Sequence, residues 1–138
     1  MKRNIALILA LLLCAAVLAA CGKKQAEPTI DYGSSTLYTR EDMDAAVALI
    51  RTEFGTWEGC ELHSLRYASD ECCSEENLAW MNSLREGEGF TRCIEFLSDF
   101  HSPKKGGGAW EPDFEYKDWQ WWLARTDGGE WTLLTWGY

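Results

Sequence analysis

The sequence predicts an α+β domain, with helices early in the chain and strands late. Three observations carry that expectation. Apolar residues at Met43, Val47, Ile50 and Phe54 recur at intervals of four, three and four, which is one face of a helix. Residues 91–101 alternate: Ile94, Phe96 and Phe100 point one way, and Cys93, Glu95, Leu97 and Asp99 the other. Two aromatic segments, 119–126 and 131–138, flank Asp127-Gly128-Gly129-Glu130, a strong hairpin signal.

The chain starts with a short basic stretch, Met1-Lys2-Arg3-Asn4, followed by an almost unbroken apolar run over residues 5–20. A spanning helix needs about 20 apolar residues, so this shorter run reads as a secretion signal. An uncleaved anchor helix and a cut at an ordinary Ala-x-Ala site are the alternatives. The run ends Leu18-Ala19-Ala20-Cys21-Gly22, which resembles the lipobox of bacterial lipoproteins. The resemblance implies a signal peptide over 1–20, lipid on the Cys21 thiol, and Cys21 as the mature N-terminus. The competing Cys14 follows three leucines and lacks the small residues that a narrow peptidase groove accepts. Acyl burial contributes about 0.8 kcal/mol per CH₂, so such an anchor is lasting and holds the protein on the outer face of the cell membrane. Residues 21–37 then read as the lipidated cysteine and a polar tether. Its Gly, Ser and Pro content gives a reach of about 20–24 Å. Residues 38–138 are expected to form one globular domain.

Within that domain the first helix starts at Thr39, with Asp42 three residues on as a capping box and Tyr38 against Met43 as a staple. Gly55 ends it. Residues 60–68 place Leu62, Leu65 and Tyr67 among polar neighbours and read as a strand. Ser74-Glu75-Glu76 opens a second helix, with Leu78, Met81 and Leu84 as its buried side and Gly87 and Gly89 at its end. The 91–101 strand follows, then a loop over 101–117, then the hairpin. If Gly128-Gly129 form the turn, Trp121 lies opposite Trp136 and Leu123 opposite Leu134; a one-residue slip would exchange the faces. The order helix-strand-helix-strand-strand-strand suggests N-terminal helices packed on one face of a curved antiparallel sheet.

Charge excludes further classes. The chain carries 22 acidic and 13 basic residues, and without Lys2 and Arg3 the balance becomes 22 against 11, so it lacks the basic footprint a nucleic-acid partner requires. The sequence contains no G-x-G-x-x-G, P-loop, G-x-S-x-G or H-E-x-x-H, and no cofactor is expected. Asp118-Trp119-Gln120-Trp121-Trp122-Leu123-Ala124-Arg125, Gly128-Gly129-Glu130-Trp131 and Trp136-Gly137-Tyr138 resemble a family of small lipoproteins of Gram-positive gut bacteria, as does Glu58-Gly59-Cys60-Glu61-Leu62. Members end in a W-Q-W…G-G-x-W…W-G-Y pattern and are described as domains of unknown function. The resemblance implies a nuclear-transport-factor-2-like or cystatin-like cone and an extracytoplasmic location, without an activity. The additional cysteines and Lys104-Lys105-Gly106-Gly107-Gly108 depart from the pattern.

Candidate chemistry is sparse. Cys60, Cys72, Cys73 and Cys93 allow disulfides outside the cytoplasm. A vicinal Cys72–Cys73 bond would be strained, leaving Cys60 or Cys93 paired with Cys72 or Cys73; four free thiols are the alternative. His63 and His101 with these cysteines lack the C-x₂-C bite of a zinc site. Glu111, Asp113, Glu115 and Asp118 lack the glycine of a calcium loop, so no metal is expected. As an enzyme, the domain would use His63 and Asp99, with Tyr67 or Arg66, as acid–base partners in a cone cavity. The eight tryptophans favour a non-catalytic binding domain instead. Trp110, Trp122 and Trp131 are the candidate platform for a small-molecule, glycan or protein partner, and Trp57, Trp80, Trp119, Trp121 and Trp136 the expected core.

Overall fold

The computed structural model describes residues 25–138. The apolar run, Cys14, and the expected lipidation of Cys21 lie outside the described residues. Strand β1 (Thr29–Asp31) comes first, then helix α1 (Arg40–Phe54), β2 (Glu61–Tyr67), a 3₁₀ helix (Asp70–Cys73), α2 (Glu75–Leu84), β3 (Arg92–His101), β4 (Glu115–Arg125) and β5 (Thr132–Gly137). The five strands form one open sheet in the order β1-β2-β3-β4-β5, with β1 parallel to β2 and the other pairs antiparallel. The architecture is therefore α+β, and the order differs from the expected one at its start. A strand precedes the first helix, and residues 29–31 of the segment read as tether pair with Ser64–Arg66 of β2.

Helix α1 forms as its sequence requires. Thr39 Oγ1 accepts the Asp42 backbone N–H at 3.1 Å, and the Asp42 carboxylate accepts the Thr39 N–H at 2.8 Å, completing the capping box. At the other end the Gly55 N–H donates to the Arg51 carbonyl at 2.9 Å. Met43, Ala46, Val47, Ile50 and Phe54 are buried. They meet the sheet face that carries Ile94, Phe96 and Phe100 of β3 and Trp121 and Leu123 of β4, which the register sets side by side. Phe54 makes edge contacts there with Phe100 at 5.5 Å and Trp121 at 6.5 Å.

The second helix covers the opposite face, which corrects the expectation that both helices share one side. Trp121 and Trp122 are consecutive in β4 and so point to opposite faces. Trp122 packs against Trp80 of α2 at 5.3 Å. The α2 N-terminus is capped as expected, with Ser74 Oγ accepting the Asn77 N–H at 3.1 Å. Of its expected buried side, Met81 is fully buried, Leu78 is half-buried and Leu84 is exposed, because the helix stops at Leu84 before the glycines.

Three bulges interrupt the ladders: in β2 between Leu62 and Ser64, in β3/β4 at Ser98/Phe100, and in the hairpin at Trp122/Leu123. In the hairpin Trp121 does pair with Trp136, but beyond the bulge Leu123 pairs with Leu133 rather than Leu134. The turn closes through Gly129 N–H to the Thr126 carbonyl at 2.9 Å, with Gly128 at φ +71, a conformation glycine adopts without steric cost.

Candidate functional site

The densest aromatic region lies where the α1–β2 connection meets the β3–β4 loop. Trp57 stacks on Trp121 at 5.0 Å and 23°, and touches Phe54 at 5.1 Å and Phe100 at 5.5 Å. Trp110 packs on it with centroids 4.9 Å apart and the planes tilted by 39°. Trp119 lies 5.4 Å from Trp110, and Tyr138 extends the band at 5.0 Å from Trp119. Trp136, 6.2 Å from Trp57, is 40% exposed on edge strand β5.

Trp57 and Trp110 line a cavity of about 570 Å³ whose remaining wall is Thr56, Glu58, Gly59, Pro103 and Gly106–Gly108. Two glycines are there for space as well as conformation. A Cβ on Gly59 would stand 3.0 Å from Pro103 Cγ, and one on Gly106 3.0 Å from the Trp110 carbonyl oxygen. Both have positive φ, +77 and +67. The loop is pinned from beneath by Ser102, which is 1% exposed. Its hydroxyl donates to the Glu111 carbonyl and accepts the Phe114 N–H at 2.9 Å, while the Ser102 N–H donates to the Phe114 carbonyl at 2.9 Å. Residues 115–117, expected in that loop, are already part of β4.

The expected platform is not assembled. Trp110 lines the cavity, but Trp122 is buried at 6% beneath Trp80, and Trp131 at 7% beneath Tyr38. The Trp131 indole N–H donates to the Asp42 carbonyl at 2.9 Å, and the Arg125 guanidinium lies 4.3 Å over its ring. Conversely, Trp57, Trp119 and Trp136, expected in the core, share the accessible band with Trp110; of the expected core tryptophans only Trp121 is fully enclosed. Helix α2 on the second face is the physical reason, since it claims the surface that Trp122 would have presented.

The acid–base candidates His63 and Asp99 do not meet; they are joined only at a distance, through Glu115 and Lys117, whose Nζ lies 3.6 Å from Glu115 and 3.2 Å from Asp99. His63 Nδ1 hydrogen-bonds Glu115 Oε1 at 2.9 Å, and His101 Nδ1 meets Glu115 Oε2 at 3.0 Å, with His101 Nε2 on Asp113 at 2.8 Å. Asp113, then Glu115, raise the His101 pKa. Asp99 instead holds the β3/β4 bulge: its carboxylate accepts the Asp118 N–H at 3.1 Å and Lys117 Nζ at 3.2 Å. Asp118 there has φ +54. Tyr67 donates to Asp70 at 2.8 Å, burial raises its pKa, and Arg66 pairs with Asp118. His63 and Asp99 thus share no hydrogen bond. Among the described residues no group of three His, Cys, Asp or Glu converges to hold a metal ion.

The cysteines divide into one and three. Cys60 precedes β2 beside the His101 end of β3, whereas Cys93 lies eight residues along β3, about 25 Å away at strand spacing. A disulfide requires Cα atoms within about 7 Å, so Cys60 has no partner in reach. Cys72, Cys73 and Cys93 are clustered under α2, and all four are free thiols here.

No family model, curated protein or solved structure matches this chain.

Proposed function

We propose that this chain is a lipid-anchored protein of the outer face of the cell membrane whose domain binds glycan, without catalysis, in the cavity that Trp57 and Trp110 line. One observation carries the binding assignment: two indoles in contact, their centroids 4.9 Å apart, form an aromatic wall of a cavity of about 570 Å³ whose other lining is Thr56, Glu58, Pro103 and glycine backbone. Pyranose rings carry flat C–H faces that stack on indole, and their hydroxyls need hydrogen-bond partners at the rim. Thr56, Glu58 and the Gly106–Gly108 backbone offer such partners. Glycines there let a sugar approach the main chain closely. The anchor rests on Leu18-Ala19-Ala20-Cys21. Membership of the small Gram-positive lipoprotein group rests on the tryptophan-rich C-terminus. The proposed nuclear-transport-factor-2-like or cystatin-like cone is supported by one long helix filling one face of an open, largely antiparallel sheet; α2 on the opposite face is the departure.

Two experiments test this reading. Cys21→Ala should abolish acyl incorporation and leave unprocessed protein; normal lipidation of that variant would exclude the anchor. Titrating the full chain in detergent with chito- and cello-oligosaccharides, whose all-equatorial rings present flat faces, should quench indole fluorescence saturably. The quench should be lost in Trp110→Ala. An unchanged response in that variant would exclude the groove.

A further inference from the structure

We propose that Cys73 and Cys93 form a reversible disulfide that fastens the 3₁₀ helix and α2 to β3, leaving Cys72 as a thiol. The two residues are twenty apart in sequence, yet the Cys93 N–H donates to Cys73 Sγ at 3.4 Å. The Cys93 thiol is turned to the same segment, donating to the Cys72 carbonyl at 3.3 Å. Cys93 and Cys72 are buried, while Cys73 is half-buried. Burial, then the adjacent Cys73 and Cys72 thiols, hold the Cys93 thiol far above its usual range, and burial pushes Cys72 up to about 11. Cys73 is therefore the thiol that meets an oxidant first, and Cys93 the one that resolves it.

The oxidant is an external disulfide, small-molecule or protein-borne. The Cys73 thiolate attacks one of its sulfurs and the other leaves as a thiolate. The Cys93 sulfur then attacks Cys73 in the mixed disulfide and expels the second thiolate, and the two protons pass to the leaving groups. Two protein thiols are oxidised and one external disulfide becomes two thiols. A vicinal Cys72–Cys73 bond would distort the peptide between them.

The test uses the full chain in detergent, equilibrated with oxidised or reduced glutathione, alkylated and digested with trypsin. Oxidation should link the peptide of residues 67–85 to that of 93–104, in wild type and in Cys72→Ser but not in Cys73→Ser. The oxidised form should melt about 10 °C or more above the reduced one, as closure of a loop of this length implies. If a variant fails to fold, fragmentation of the wild-type linked peptide assigns the sulfur directly. A bond through Cys72, or alkylation of Cys72, Cys73 and Cys93 alike after oxidation, overturns the proposal.

Discussion

Trp57 and Trp110 come from two connections far apart in sequence that meet at one end of the sheet, where Glu61 pairs with His101, and their rings lie 4.9 Å apart, inclined at 39°. Trp57 is also stacked on buried Trp121, so one wall of the groove is built on the core and the other on a loop. That asymmetry separates the two substitutions. Trp57→Ala should cost about 3 kcal/mol of stability, since it opens a cavity beside Phe54, Phe100 and Trp121. Trp110→Ala, which removes a half-buried ring packed on Trp57, Phe100, Tyr116 and Trp119, should cost about 1–2 kcal/mol, less than Trp57→Ala, and lower glycan affinity about tenfold. Urea melts and fluorescence titrations of the two variants check both.

Ser102→Ala removes the pin of the Trp110 loop and strands the Phe114 N–H beneath it. A cost of about 1–3 kcal/mol is expected. Hydrogen exchange should rise at Phe114 while β3 amides such as Phe96 stay protected; uniform exchange across both would contradict the local role.

Asp42 holds two elements together: it accepts the Thr39 N–H and pairs with Arg125 at 2.9 Å. Arg125 reaches Asp42 through Nη1, and its buried Nε has no hydrogen-bond partner among the described residues. Asp42→Ala is expected to cost about 2–3 kcal/mol, more than a lost cap alone. The Thr39 N–H, with Arg125 beside it, holds the Asp42 carboxyl below its usual 3.8. A depressed carboxyl contributes stability above the unfolded value and loses it as pH falls through the folded one. The wild-type advantage over Asp42→Ala should therefore persist at pH 5 and above and shrink below pH 4, as urea melts across that range will read.

His101 titrates with the opposite sign. Asp113 and Glu115 raise its pKa above 6.5, so the clasp is complete below pH 6.5 and is lost as pH rises through the folded value. His63 and Lys117 also face Glu115. NMR of the imidazole Cε1–H should give a His101 midpoint above 6.5 that falls in Glu115→Gln. A midpoint unmoved by that substitution would contradict the bridge.

Local signals made part of this molecule legible from its residues. Thr39, Asp42 and Gly55 bound α1 because capping is a matter of adjacent atoms, and the pairing of Trp121 with Trp136 follows from the glycine turn. The pairing of Leu123 with Leu134 that the alternation predicts fails, because a bulge at Trp122/Leu123 leaves no mark in an alternating pattern. Strand β1 escaped because its three residues pair in parallel with β2, distant in sequence. Trp122 reads as surface in the sequence because only the placement of α2, whose Trp80 covers it, decides its burial; Trp57 reads as core, and its ring does lie on Phe54, Phe100 and Trp121 while lining the cavity. Ser102, a small polar residue in a loop, carries no signal of the hydrogen bonds it makes to Glu111 and Phe114.

The central claim is the groove, and indole NMR of the full chain in detergent tests it most directly. Eight indole N–H resonances report on eight tryptophans. Added chito-oligosaccharide should shift those of Trp57 and Trp110, with smaller changes at Trp119 and Trp136, and leave Trp122 and Trp131 in place. Shifts confined to Trp122 and Trp131, or none at millimolar sugar, would contradict the groove as the binding site.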